Sequence, residues 1–181
     1  KEFERLKKKY KFFVIEDAAQ AFLSKYKNKY CGTKYEVGCY SLSLAKPIHM
    51  VYGGFCATNN TTLAKKLMAA RNNGMFPWNE SAALATTTGL NLKPSDIHAS
   101  IGLENLKNFN KIKKTLLQNS KLYESKINNA KIKFLRLEGK YSVPNFAQVI
   151  VKKRRNFLKY CIKNKIGTST GLRGLVETGL I

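Results

Sequence analysis

Acidic residues are scarce in this chain: 11 Asp and Glu stand against 33 Lys and Arg, a formal net charge of +22. The imbalance brings a polyanionic partner into view, nucleic acid or a membrane surface. Arginine is scarce beside lysine, however, and nucleic-acid readers rely on arginine forks. The lysines are also scattered, with no single stripe of interleaved aromatics. The charge therefore reads as solvated lysine in a lysine- and asparagine-rich composition, and a nucleic-acid-binding protein rests on charge alone. No apolar run approaches the length needed to cross a bilayer, so no membrane partner is expected. No signal-peptide pattern stands among these residues. The four cysteines (Cys31, Cys39, Cys56, Cys161) form no CxxC pair, and no histidine stands at metal spacing. That removes the usual zinc motifs and leaves buried or half-buried thiols in a reducing cytoplasm as the expectation. Internal repeats and low-complexity tracts are absent too.

What is present is a globular chain of 181 residues, 44% hydrophobic, enough for one domain or one plus a fragment. It starts without Met and stops at Thr178-Gly179-Leu180-Ile181, which reads as an internal piece of a longer protein. Its organising stretch is Val14–Lys46. A short apolar run, Phe12-Phe13-Val14-Ile15, ends in Glu16-Asp17, the pattern of a buried parallel strand delivering an acid at its C-terminal edge. Ligands of open α/β sheets collect at that edge. A second run, Cys39-Tyr40-Ser41-Leu42-Ser43, leads to Lys46. The expectation is an acid, a hydroxyl and an amine at three strand ends, the groups that pyridoxal phosphate (PLP) needs.

Around this stretch the pattern predicts a helix ending near residue 11, with Phe3 and Leu6 inward, and a short helix or turn over Ala18–Phe22. It predicts a loop or hairpin over Tyr26–Lys34, a turn at Gly53-Gly54 and a strand over Phe55–Thr58. Asn60 or Thr61 caps a helix through Arg71 that Asn73-Gly74 ends. Residues 75–90 have no clear period and read as a functional loop. Ser95 caps the longest helical pattern, running to Ile127 with a kink or break at Asn108–Asn110. Beyond it come strands over Ile132–Leu135 and Phe146–Val151 and a helix near Arg155–Lys163, the look of a small α+β domain.

The segments VIEDAAQA, Gly32-Thr33, Gly38-Cys39-Tyr40-Ser41-Leu42 with Lys46, and Gly53-Gly54 follow one another in order. With Gly89-Leu90-Asn91-Leu92-Lys93-Pro94-Ser95 and Ala99-Ser100-Ile101-Gly102-Leu103, they resemble the DegT/DnrJ/EryC1/StrS family of nucleotide-sugar aminotransferases. The likeness is strong over residues 10–110. It implies an α/β fold: the second half of a fold-type I PLP-transferase large domain, a mixed, mostly parallel sheet flanked by helices (residues 1–110). The start of a small C-terminal domain follows (111–181). It implies that Lys46 forms the imine with PLP, Asp17 partners the ring nitrogen and Ser41 holds the phosphate. Gln20 lies beside the phenolic oxygen, and Asn91 reaches the phosphate of a neighbouring subunit, hence a homodimer with a shared site. The implied substrates are a nucleotide-linked keto sugar and an amino donor, glutamate, in amino-sugar and surface-polysaccharide synthesis. A sugar dehydratase of the same family is an alternative, but those relatives tend to carry histidine in place of the lysine. A non-catalytic or truncated cofactor-binding relic is another. The chain departs from the family at Phe22-Leu23, where a His-Gly or Gly pair is usual, at Leu42 for Phe, and at Lys93 for Arg. His49, His98 and Trp78 read as structural.

Overall fold

A computed structural model describes residues 2–76, 84–135 and 142–170. The chain divides into two compact units, Lys1–Leu122 with Leu137–Phe146, and Tyr123–Arg136 with Ala147–Ile181.

The first unit opens with α1 (Glu2–Tyr10), acidic at its start and lysine-rich in its last turn, as the helix dipole favours. Phe3 remains 46% exposed, contrary to its expected inward position, but sits edge-on to Phe12 and Tyr35 at 5.7 and 5.4 Å. Strand β1 (Ile15–Asp17) starts later than expected and includes both acids. Nor is it buried on both faces: Val14 and Ala18 are buried while Phe13 and Ile15 are 58% and 63% exposed. The cause is the period-2 alternation of an extended chain, which sends successive side chains to opposite faces of the sheet.

After two tight turns over Ala18–Ser24, β2 (Lys25–Tyr26) and β3 (Lys29–Tyr30) form an antiparallel hairpin. Its two-residue tip, Lys27-Asn28, has φ of 46° and 67°, the sign a type I′ hairpin turn requires. Strand β4 (Val37–Ser41) pairs parallel with β1, Asp17 opposite Cys39, and β5 (Gly54–Ala57) pairs antiparallel on its other side. The sheet is therefore mixed, in the order β1-β4-β5. Gly38 is where backbone must pass close to backbone: a Cβ there would come within 1.9 Å of the Gly32 carbonyl oxygen.

Helix α2 (Thr61–Arg71) is capped by Asn60, whose side chain accepts the Leu63 N–H. Ser95 caps α3 (Asp96–Lys107) by accepting from His98 N–H, and Asn108 breaks the long helical pattern before α4 (Phe109–Lys126). Trp78 lies outside the described residues. The buried centre of this unit is Leu23, Ile48 and Val143, with Phe22, Leu42, Phe109, Ile112, Leu116 and Leu117 packed on it. Burying each large aliphatic side chain contributes about 1.5–3 kcal/mol.

The second unit holds β6 (Ile132–Phe134) antiparallel to β7 (Val149–Val151), and α5 (Arg154–Lys163) with buried Cys161. Among the described residues no helix is long and apolar enough to cross a membrane, and no cluster of His, Cys, Asp and Glu is arranged to hold a metal.

Candidate active site

The adjacent acids of β1 do different work. Glu16 faces the Gly32–Tyr35 loop and accepts three backbone N–H groups, from Gly32, Lys34 and Tyr35, at 2.9, 2.7 and 2.8 Å. Sequence reasoning passed over this role, although strand alternation alone sends the two acids to opposite faces. Asp17 is exposed at the strand end, and its Oδ1 accepts only the nearby Ala19 N–H at 3.1 Å among the described residues. The parallel ladder continues one step past it, Ala18 N–H donating to the Cys39 carbonyl at 2.9 Å. This fixes the carboxylate at the sheet's C-terminal edge.

Ser41 ends β4 at the same edge. Its Oγ accepts the Ser43 N–H at 3.3 Å and meets the Ser43 hydroxyl at 3.2 Å. Lys46 does not lie at a third strand end. It sits in the loop between β4 and β5, because β5 runs antiparallel and its own C-terminal end points the other way. That loop is tied at its base by Leu42 N–H to the Gly53 carbonyl (2.9 Å) and Met50 N–H to the Leu42 carbonyl (2.8 Å). A turn within it, Lys46 N–H to the Ser43 carbonyl at 2.9 Å, sets the lysine backbone. From α3, Asn105 Nδ2 donates to the His49 carbonyl at 2.8 Å. The Nδ1 of His49 is buried with no partner among the described residues.

Ser41 and Lys46 line one small cavity of about 10 Å³, room for roughly one water. Ala19, Phe22 and Leu23 from the turn after β1, Pro47 and Ile48 from the lysine loop, and Asn145 complete its wall. Phe22, one of the departures from the family pattern, is locked by edge-on contacts to Tyr40, Phe55 and Phe109 at 5.7, 5.5 and 6.1 Å. Leu23 beside it is a core residue. Gln20 is exposed and reaches the wall through Asn145, whose Nδ2 donates to its Oε1 at 3.0 Å. Asn145 was missed by sequence reasoning, and no local pattern marks it. Asn91 is placed elsewhere: it forms an isolated antiparallel bridge with Asn72 at the end of α2, and the flanking Leu90 and Leu92 amides donate to Ala70 and Arg71 carbonyls. The Lys93 ammonium donates to the buried Asn72 Oδ1 at 2.8 Å.

An acid and a hydroxyl at one sheet edge, with a lysine in the following loop, stand in a chain whose residues 1–171 match the model of the DegT/DnrJ/EryC1/StrS aminotransferase family. The chain belongs to that family. It is 31% identical over 106 residues to a UDP-4-amino-4,6-dideoxy-N-acetyl-beta-L-altrosamine transaminase of Campylobacter jejuni, covering 59% of this chain and 28% of that enzyme. With a GDP-perosamine synthase of Escherichia coli O157:H7 it shares 31% identity over 128 residues, 68% of this chain and 34% of the other. The fold is that of the solved aminotransferase TlmJ from Streptoalloteichus hindustanus (TM-score 0.85, 20% identity, 94% of this chain and 48% of that one). It is equally that of an E. coli GDP-4-keto-6-deoxy-D-mannose-3-dehydratase solved with bound hydrated PLP (TM-score 0.77, 18% identity, 91% and 48%). The chain thus spans about a third of the two enzymes and about half of the two solved structures.

Proposed function

We propose that this chain is the lysine-bearing part of a cytoplasmic PLP-dependent aminotransferase that moves an amino group from glutamate to a keto sugar linked to a nucleotide. One observation carries the reading: Ser41 and Lys46 share a cavity wall at the sheet edge where Asp17 ends β1, in a chain of this family. The donor set suits PLP chemically, offering a carboxylate for a ring nitrogen, a hydroxyl for a phosphate and an amine for an aldehyde. The 10 Å³ enclosed here does not hold a pyridine ring. We therefore place the rest of the site on chain beyond these residues and on a second subunit, with Asn91 serving the neighbour's phosphate. Residues 1–110 are proposed as the cofactor-binding half, and 111–181 as the start of the small domain.

When bound, PLP supplies an electron sink that lets a C–H bond beside an amine break by loss of a proton. Asp17 holds the proton on the ring nitrogen that this sink requires. The Ser41 hydroxyl would hold the phosphate. The Lys46 amine would anchor the cofactor through its aldehyde and would serve as the base that moves a proton between neighbouring carbons of a bound amine. Lysine at this position favours amine transfer over removal of a sugar hydroxyl.

Borohydride reduction of the full-length protein loaded with PLP, followed by peptide mass spectrometry, tests the assignment. The phosphopyridoxyl mass is expected on Lys46 and is lost in Lys46→Ala. A label on another lysine, or none, overturns it. Glutamate-dependent amination across a panel of UDP- and GDP-linked keto sugars then identifies the acceptor. Restored activity on mixing Lys46→Ala with Asn91→Ala subunits tests the shared site.

A further inference from the structure

The amide of Gln20 and the amide of Asn145 meet across 125 residues of sequence. Asn145 Nδ2 donates twice, to the Gln20 side-chain Oε1 at 3.0 Å and to the Gln20 backbone carbonyl at 3.1 Å. The second bond decides the chemistry of the first. A backbone carbonyl only accepts, so the Asn145 atom facing Gln20 must be its NH2 group. The Gln20 atom facing that NH2 must then be its oxygen. Both Nε2 donors of Gln20 are left as the end of the amide that remains to be used.

Asn145 is itself held firmly. Two residues back, Val143 is 2% exposed in the core beside Leu23 and Ile48. Its N–H donates to the Ser24 hydroxyl at 2.9 Å, and its carbonyl accepts that hydroxyl at 3.4 Å. The segment is thus pinned to the turn that carries Gln20, and Asn145 faces the cavity shared with Ser41 and Lys46.

We infer that Asn145 is a positioning residue that holds the Gln20 carboxamide with its oxygen turned away and its N–H donors presented to the cofactor. The inference rests on the reading above, in which Gln20 lies beside the phenolic oxygen of PLP. That oxygen is an acceptor, negatively charged in part, and needs the donor end of an amide. The terminal torsion of glutamine is broad and two-fold, and its two ends differ little in shape, so without Asn145 nothing local selects the useful end.

The test uses the full-length protein as wild type, N145D, N145A, Q20A and the N145A/Q20A double variant. The readouts are PLP affinity, the pH midpoint of the visible absorbance of bound PLP, and melting of the cofactor-free protein as a fold control. In N145D the introduced carboxylate offers only acceptors, so the Gln20 amide must turn over and present oxygen to oxygen. PLP affinity is expected to fall about tenfold or more, with a moved absorbance midpoint, since a hydrogen bond to a charged partner is lost. N145A removes the donor without adding charge and carries the same comparison should N145D fold poorly. Its effect on affinity is expected to shrink to less than about twofold in the Q20A background, because both act through one amide. Equal effects of N145A in both backgrounds overturn the inference, as does an N145D protein with wild-type affinity and midpoint. Wild-type protein that takes up no PLP overturns the functional reading itself.

Discussion

The Tyr52 amide donates to the Met50 carbonyl at 3.0 Å, closing a three-residue turn around Val51, whose φ is 72°. This is the rare γ-turn hand, and a β-branched residue adopts it only under strain. The strain sits in the loop that carries Lys46, held there by the bonds at the loop's base. Val51→Gly is expected to raise stability by about 1 kcal/mol in urea unfolding, the low end of what such a conformation costs. A loss of stability would mean that the valine side chain contributes more by packing than its backbone costs.

Ser24→Ala removes the acceptor of the buried Val143 N–H. An unsatisfied buried amide costs about 1–3 kcal/mol, and that loss is expected in the same unfolding assay. A change below about 0.5 kcal/mol would show a water taking the hydroxyl's place.

Lys7 pairs with Glu36, whose other carboxylate oxygen accepts the Val14 N–H at 3.1 Å. The lysine contact first, and the backbone bonds after it, hold the Glu36 carboxyl below the usual carboxylate range. A carboxyl depressed in the folded state stabilises above its unfolded pKa and loses that contribution as pH falls through the folded one. Stability is therefore expected to be level near neutrality and to decline below about pH 4.5, where the unfolded carboxyl begins to bind protons. In Glu36→Gln the acid limb of a melting-temperature profile should be shallower. An unchanged limb would assign acid sensitivity to other carboxylates.

Cys39 and Cys56 stand directly opposite on β4 and β5, sulfur to sulfur at 3.8 Å. Burial first, then Cys56, then the charge of Asp17 push the Cys39 thiol above its ordinary range. Iodoacetamide is expected to label Cys39 slowly at pH 7, with a rate that climbs only above about pH 9 because the thiolate is the nucleophile. Cys56→Ser should bring that climb to lower pH. A Cys39 rate equal to that of an unhindered thiol at neutral pH would rule the environment out.

What was legible in the sequence was whatever local chemistry writes. The choice of Asp17 and Ser41 rests on the family resemblance, whereas the acids that close β1 were legible because an apolar run ending in a polar group marks a strand, and Ser95 and Asn60 because a cap precedes its helix. The break at Asn108 was legible for the same reason. Strand edges were not: β1 begins three residues later than the apolar run, because the ladder follows the partner β4 rather than hydrophobicity. The position of Lys46 in a loop depended on β5 running antiparallel, a property of pairing that no single segment encodes. Asn145 was invisible because what brings it to the cavity wall is a tertiary contact with the Ala18–Ser24 turn, carried by Val143 and Ser24, and neither residue has a periodic signature.

The 125 residues between Gln20 and Asn145 also set a clock. A ribosome adding about 5–20 residues per second makes Gln20 roughly 6–25 s before Asn145, its hydrogen-bond partner. The sheet edge and the lysine loop are local enough to form in that interval, while the last piece of wall has to close a long loop and arrives late. During synthesis the nascent chain carries Asp17 and Lys46 before it carries the Asn145 amide that donates to Gln20.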